Sequence, residues 1–298
     1  MAPKLGCPMP PSRFCRQPAP AQFNGTYSIT SFGGVASTFL LEWFRHMELA
    51  ARQDRDCRAG TAGLPAEKSL FTEKCGCEPL ADGPLPLHLV SCHVDDDGVF
   101  KHLADPRVLN RFGRHRALYV VGNPIDAVAS VFRRKFQCWH LYRLNNCWFT
   151  RKERDGLIPC SQPGIRSFRK RYGTLASTCR VPERGPLSSL DAYAEEGEDL
   201  FGSTAQFRAW MSCRRPHCLF DILVVRYETL NASLATVFDF LEVPHAARRH
   251  FPPLGQSHAR HGSSTPPRIR SQLATLYGPL ERAVSQIPPE GLLLRNTF

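Results

Sequence analysis

The chain has 298 residues, of which 42% are hydrophobic and 22% charged, proportions close to those of ordinary globular proteins, so wholesale disorder is excluded. No apolar run approaches the ~18–20 residues of a membrane span, and the first residues contain no apolar stretch of the kind that marks a secretory signal. The 38 Lys and Arg residues outnumber the 27 Asp and Glu residues by 11, which favours an anionic partner.

Proteins that bind nucleic acids leave further marks in their sequences, such as zinc-finger spacing, an RNA-binding aromatic motif, or a basic region followed by heptads. None of these is present. We therefore expect a small anion that carries several phosphates, and no nucleic-acid partner.

The chain is predicted to form one domain after a flexible N-terminal extension. Residues 1–22 are rich in proline and have no periodic apolar pattern, so the ordered domain is expected at residues 23–298. Two stretches, about 51–85 and 140–186, are rich in Gly and Pro and are predicted to be inserted loops.

The first half of the domain alternates predicted strands and helices. A strand over residues 27–31 is followed by two glycines and by a helix from about Ser37; a second strand is predicted at residues 87–91. The apolar run 117–121 is typical of a strand buried on both faces. After it, Asn123 is a suitable N-cap and Pro124 a suitable first residue for the next helix.

The second half continues the alternation. Helices are predicted at residues 190–200, 204–211, 230–241 and 269–284, and a strand at 221–226. Strands that alternate with helices indicate an α/β fold with a mostly parallel sheet and helices on both faces.

The turn after the first strand has the composition of an anion cradle. Gly33 and Gly34 allow the backbone to approach a phosphate or sulfate, Ser37 and Thr38 add hydroxyl donors, and the helix start adds backbone N–H groups. The lysine of a nucleotide-triphosphatase loop is missing, so hydrolysis of ATP or GTP is not expected. The alternative is a tight strand-to-helix turn that binds nothing.

The stretch from Leu118 to Ser130 resembles the 3′-phosphate-binding segment of sulfotransferases, which use 3′-phosphoadenosine 5′-phosphosulfate as donor. Pro124 and Ser130 match that family's proline and serine, whereas Gly122 stands where the family has arginine. A second likeness lies at Arg226-Tyr-Glu228, similar to the family's Arg-Tyr-Glu element, which we interpret as structural.

The turn after the first strand is similar to the family's 5′-phosphosulfate loop, with Gly34 where many members have lysine. The resemblance implies a three-layer, P-loop-NTPase-like fold, a sulfated nucleotide as co-substrate, and no metal. The residues that it assigns to the donor nucleotide are Gly33, Gly34, Val35, Ala36, Ser37, Thr38 and Ser130.

The resemblance also assigns a catalytic base. His93, in Ser91-Cys92-His93, occupies the place of the family's histidine at a strand's carboxyl end, and an imidazole can accept a hydroxyl proton at neutral pH. The alternatives are that His93 is an ordinary loop histidine, or that His88 plays the part, although His88 lies inside the predicted strand.

Spacing suggests what replaces the missing cations. Arg133 and Arg134 lie three and four residues after Ser130, so all three share one helix face and the arginines are predicted to reach the 3′-phosphate. The alternative is that both are solvated surface charges. Arg260, Arg268 and Arg270 are expected in a late loop over the nucleotide.

These observations favour a sulfotransferase that acts on a small-molecule or carbohydrate acceptor; the alternatives are a non-catalytic binder of nucleotide or sulfated glycan and, disfavoured by the missing lysine, a kinase. The expected location is cytoplasmic, or the Golgi lumen if an N-terminal anchor precedes this sequence.

The 12 cysteines are compatible with three interpretations: free thiols, a disulfide, or pairs of metal ligands such as Cys213 with Cys218. Two glycosylation sequons begin at Asn24 and Asn231.

Overall fold

The structure is a computed structural model. It describes residues 25–32, 40, 41, 43, 44, 87–89, 102–112, 114–137, 140, 184–249, 251 and 265–296. The predicted extension 1–22, the loop 51–85 and most of the loop 140–186 lie outside these residues.

A five-stranded sheet forms the centre of the described fold. Its strands are β1 (Gly25–Ser31), β2 (Leu87–Leu89), β3 (His115–Val121), β4 (Asp221–Arg226) and β5 (Leu292–Leu294). They lie in the order β2-β1-β3-β4-β5; the first four are parallel, and β5 pairs antiparallel with β4. The prediction of an α/β fold with a mostly parallel sheet is confirmed.

In the described part of the chain, six α-helices have defined bounds: α1 (Pro124–Arg133), α2 (Leu190–Glu196), α3 (Ser203–Met211), α4 (Leu230–Phe240), α5 (His245–Arg248) and α6 (Pro267–Ser285). Short 3-10 helices lie at Pro106–Phe112 and Tyr227–Thr229. Of the helix predicted from about Ser37, four residues are described; all four are helical and buried: Leu40, Leu41, Trp43 and Phe44.

Helical residues cover both faces of the sheet. On one face, the Tyr119 ring stacks on Trp210 of α3 with ring centroids 4.7 Å apart. Arg116 lies three positions before Tyr119 and so points to the other face, together with its register partner Tyr27. Tyr27 packs edge-on against Phe44, with centroids 5.5 Å apart. The sheet is therefore buried between two helical layers.

Most predicted boundaries agree with the structure, and the differences have local causes. β4 has the predicted bounds, whereas β1 and β3 each begin two residues earlier than predicted. The helix predicted at 190–200 ends at Glu196, because Gly197 adopts a left-handed conformation (φ 69°). Asp199 then accepts hydrogen bonds from the first N–H groups of α3, so it belongs to the next helix.

Strand β5, helix α5 and the 3-10 helices were missed by the sequence analysis. β5 follows Gly291, which has a φ of 99°. A Cβ atom at Gly291 would lie 3.2 Å from the Val224 carbonyl oxygen and 3.2 Å from side-chain atoms of Leu223 and Val225. The glycine thus allows the chain to turn closely against β4 before it pairs with that strand.

We predict that Gly291→Ala destabilises the protein by about 1–3 kcal/mol, because alanine is strained at positive φ and its methyl group meets backbone. Gly278→Ala is the control: Gly278 lies inside α6, and beyond its chain neighbours the nearest new contact is the flexible end of Arg282 at 3.6 Å. The helix propensity gained is offset by the crowding of the new Cβ against Pro279, so that change should alter stability by less than about 1 kcal/mol. Urea unfolding of both variants measures the difference, and similar effects for the two would contradict the argument.

A buried histidine joins β1 to β3. His115 Nδ1 lies 2.8 Å from the Thr26 hydroxyl and His115 Nε2 lies 3.0 Å from the Ser28 hydroxyl. The ring also packs edge-on against Phe220. Burial lowers the pKa of His115 from 6.5 to about 3, so the imidazole is neutral in the folded protein.

This burial predicts a pH dependence of stability. Below about pH 6.5 the unfolded chain takes up a proton that folded His115 does not, so the free energy of unfolding falls as the pH falls. The His115 contribution is about 0.7 kcal/mol per pH unit at pH 6.5 and approaches about 1.4 kcal/mol per pH unit near pH 5, where the unfolded imidazole is almost fully protonated. Urea titrations across that range should show a shallower pH dependence for His115→Gln than for the wild type. Equal slopes would show that His115 is protonated in the fold.

Candidate functional site

The sheet has a topological switch point between β1 and β3. From β1 the chain proceeds to β2 on one side and then returns to β3 on the other side of β1. Ser31, the last residue of β1, is in register with Val120, so the carboxyl ends of the two strands lie side by side, about 4.8 Å apart. Open α/β sheets bind ligands at such points.

The two sequence-predicted segments follow these two strands. The turn after β3 and helix α1 are described. Most of the proposed donor loop after β1 and the proposed base lie outside the described residues, namely Gly33, Gly34, Val35, Ala36, Ser37, Thr38 and His93. His88 lies inside β2, as predicted.

Polar groups of the protein itself occupy the start of α1. Asn123 caps the helix, as predicted: its Oδ1 accepts from the N–H groups of Ile125 (2.9 Å) and Asp126 (3.2 Å). The Asn123 N–H donates to Glu228 Oε1 at 2.6 Å, and its Nδ2 donates to Glu281 Oε1 at 2.5 Å. Two carboxylates therefore lie where a helix start would otherwise attract an anion.

The start of α3 is satisfied in a similar way. Asp199 accepts from the N–H groups of Ser203 (3.2 Å) and Thr204 (2.8 Å), and it also accepts a hydrogen bond from the Tyr277 hydroxyl at 2.8 Å. The Tyr277 hydroxyl lies 2.6 Å from that of Tyr193, and burial raises the pKa of both phenols. This cluster joins α2, α3 and α6 and is structural.

Ser130, Arg133 and Arg134 come together farther along α1. Arg133 Nη2 donates to Ser130 Oγ at 3.3 Å, and Arg134 Nε donates to the Ser130 carbonyl oxygen at 3.2 Å. Both arginines are exposed, and Ser130 is half-buried. Partial burial, and then the charge of Arg133, lower the pKa of Arg134. An anion between the two guanidinium groups would relieve that repulsion.

Arg134 has a second neighbour, since its guanidinium lies 5.6 Å from the centre of the exposed Phe136 ring. The next residue, Lys135, adopts a left-handed conformation (φ 58°) and ends the helix. Three consecutive cations thus surround the carboxyl end of α1, which the helix dipole also favours. Of the three, Arg133 contacts the Ser130 hydroxyl.

The arginines expected in a late loop are placed differently. Arg268 and Arg270 lie in the first turn of α6. Arg268 pairs with Asp191 and with Glu195, and Arg270 Nη1 lies 3.0 Å from Asp126 Oδ1. The expectation of a loop is therefore wrong for both, although Arg270 lies in the helix predicted over residues 269–284, and both guanidinium groups pair with carboxylates. Arg260 lies outside the described residues.

Two buried histidines that the sequence analysis missed lie at the carboxyl end of β1. The Ser31 carbonyl accepts from His102 Nδ1 at 3.0 Å and from Gln206 Nε2 at 3.4 Å. His102 packs edge-on against His140, with centroids 5.1 Å apart. No local pattern marks these histidines, because helix packing rather than sequence spacing brings them to the strand end.

Two further observations delimit the site. Trp210 is fully buried and its Nε1 donates to the Leu103 carbonyl at 2.8 Å, so this tryptophan belongs to the core. A groove of about 400 Å³ lies beside Arg116, Asp221 and Leu293. Because Asp221 begins β4, this groove lies near the amino ends of the strands, away from the switch point.

Comparison of the chain with family models, with curated proteins and with solved structures finds no match in any of the three. Within the described ranges, no helix is long and apolar enough to cross a membrane. The same residues contain no cluster of three or more side chains that could hold a metal ion.

We predict that Asn123→Ala destabilises the protein by about 1–2 kcal/mol, because two N–H groups at the start of α1 lose their acceptor. Asn123→Ser is the control, since serine keeps the cap but loses the contact with Glu281. Denaturant unfolding should show most of the stability retained in Asn123→Ser. An equal loss in both variants would assign the effect to the Glu281 contact instead.

Proposed function

We propose that this chain is a sulfotransferase with a three-layer, P-loop-type α/β fold. It transfers a sulfuryl group from 3′-phosphoadenosine 5′-phosphosulfate to a hydroxyl or amine of a small-molecule or carbohydrate acceptor. The observation that carries this proposal is the switch point, where the ends of β1 and β3 are adjacent, together with helix α1, which follows β3 and carries Ser130 in contact with Arg133.

The proposed nucleotide has phosphate groups at both ends, and the described residues concern the 3′ end. The Ser130 hydroxyl and the guanidinium of Arg133 supply donors for the 3′-phosphate, and a guanidinium can bind two phosphate oxygens at once. In the proposal, residues 33–38, which follow Ser31 closely, bind the 5′-phosphosulfate. Side chains of the protein occupy the starts of α1 and α3, so the proposal assigns the 5′-phosphosulfate to the segment after β1 instead.

The proposed reaction is an in-line displacement at sulfur. The acceptor oxygen or nitrogen forms a bond to sulfur, the bond from sulfur to the 5′-phosphate oxygen breaks, and His93 takes the acceptor's proton. Adenosine 3′,5′-bisphosphate leaves with the electron pair of the broken bond. Positioning and charge stabilisation supply most of such a rate enhancement.

A second candidate function is binding of the nucleotide without transfer, and one observation favours it. Gly122 replaces the family's arginine, and the carboxylate of Glu228 binds the next N–H group, at Asn123. The strand end therefore carries negative charge where that family carries positive charge. Labelled-sulfate transfer to a panel of phenols, sugars and amines distinguishes the two candidates: transfer that His93→Ala abolishes supports the enzyme, and donor binding without transfer supports the binder.

We predict that the protein binds adenosine 3′,5′-bisphosphate at least tenfold more tightly than adenosine 5′-monophosphate in calorimetry. Arg133→Ala and Ser130→Ala should each remove most of that preference, because a hydrogen bond to a charged group is worth about 1.5–3 kcal/mol.

The matched control is Lys135→Gly. It removes one positive charge two residues from Arg133, and glycine tolerates the left-handed conformation there. It should leave the preference for the bisphosphate intact. If the wild type shows no such preference, or if Lys135→Gly lowers it as much as Arg133→Ala does, the Ser130 site is refuted.

A further inference from the structure

A disulfide joins Cys213 and Cys218 in the loop between α3 and β4. Their Cα atoms are 5.6 Å apart, within the range that a disulfide spans, and both side chains are buried. The interpretation of this pair as metal ligands is therefore wrong.

Side chains from two distant segments fix this loop. The Asn110 amide donates to the His217 carbonyl at 2.8 Å and accepts from the Leu219 N–H at 2.9 Å. Asn296 Nδ2 donates to the Cys213 carbonyl at 3.2 Å. These hydrogen bonds fix both ends of the loop, so the cross-link is built into the fold. Disulfides of this kind are rare where the cell keeps thiols reduced.

A second feature points to the same environment. The sequon Asn231-Ala-Ser233 begins at the second residue of α4, where Asn231 is exposed. Ala232 and, one turn later, Ala235 are also exposed, so two of the side chains next to Asn231 on this surface are small. Asparagine is a weak helix former, and the cap of α4 uses no side-chain hydrogen bond.

We propose that Asn231 carries an N-linked glycan and that this chain folds in the oxidising lumen of the secretory pathway. The disulfide and the exposed sequon are independent observations; a structural disulfide is typical of that compartment, and N-glycosylation takes place in it. The inference does not depend on the proposed sulfotransferase activity. Of the two locations that the sequence left open, it favours the lumen.

Each of the two modifications needs a co-reactant, an oxidant for the disulfide and a glycosyl donor for the glycan. A disulfide-carrying oxidoreductase takes two electrons from Cys213 and Cys218, so the S–S bond forms as both thiols lose their protons and the carrier becomes a dithiol. In the second step, Asn231 Nδ2 bonds to the anomeric carbon of a glycosyl diphosphate donor. The bond from that carbon to the donor's phosphate oxygen breaks, and Nδ2 loses a proton.

The test uses the full-length protein isolated from the cells that naturally make it. After alkylation in denaturant without reductant, peptide mass spectrometry should find Cys213 and Cys218 linked and unalkylated. Treatment with an N-glycan amidase should increase the electrophoretic mobility and leave aspartate at position 231. Alkylated thiols at both positions, or an unmodified Asn231 in most molecules, would overturn the proposal.

A variant series assigns the glycan to its site. When the full chain is expressed with a secretion leader in cultured eukaryotic cells, Asn231→Gln should abolish the mobility shift that this site causes. Asn24→Gln, at the other sequon, and Ser233→Thr, which keeps the sequon, should retain it. Because Asn231 is exposed, Asn231→Gln is expected to fold normally, and a shift that persists in it would refute this site.

Discussion

The parallel pairing of β1 with β3 is the constraint on which the rest of the structure depends. It runs in register from Thr26 opposite His115 to Ser31 opposite Val120, and so fixes how far each strand extends toward the switch point. The His115 ring, which contacts two hydroxyls of β1, makes this register specific, because a shift by one residue would turn those hydroxyls to the other face. The hydrogen bonds of His115 and the position of the candidate site therefore both depend on the register between β1 and β3.

Negative and positive side chains lie at separate, defined positions around the strand ends, which the net charge of +11 does not indicate. Carboxylates of Glu228 and Glu281 satisfy donors at the start of α1, and Asp199 satisfies those of α3. Arg133 and Arg134, which are exposed, lie at the other end of α1. Within this helix the positive charge is thus at the carboxyl end, and the carboxylate partners are at the start that follows β3.

The sequence predicts those features that local physical chemistry determines. Continuous apolar runs are sufficient to predict β3 and β4, and an asparagine before a proline is sufficient to predict the start of α1. The partners of Asn123 cannot be predicted in this way, since Glu228 and Glu281 follow it by 105 and 158 residues and meet it only through helix packing. Strand β5 was missed for a related reason: three leucines pair with β4 only because Gly291 turns the chain against it.

The position of Gly122 is explained by the same packing. An arginine there would lie next to the Asn123 N–H and hence next to the Glu228 carboxylate, where a salt bridge would compete with a phosphate for the guanidinium. Because the Glu228 carboxylate lies at this turn, an arginine that is to bind the proposed nucleotide is better placed on the exposed face of α1. Arg133 meets that requirement, because it lies near the far end of the helix and already contacts the Ser130 hydroxyl. Under the proposed function, Gly122 in place of an arginine and Arg133 beside Ser130 are then two consequences of the Glu228 carboxylate at the turn after β3.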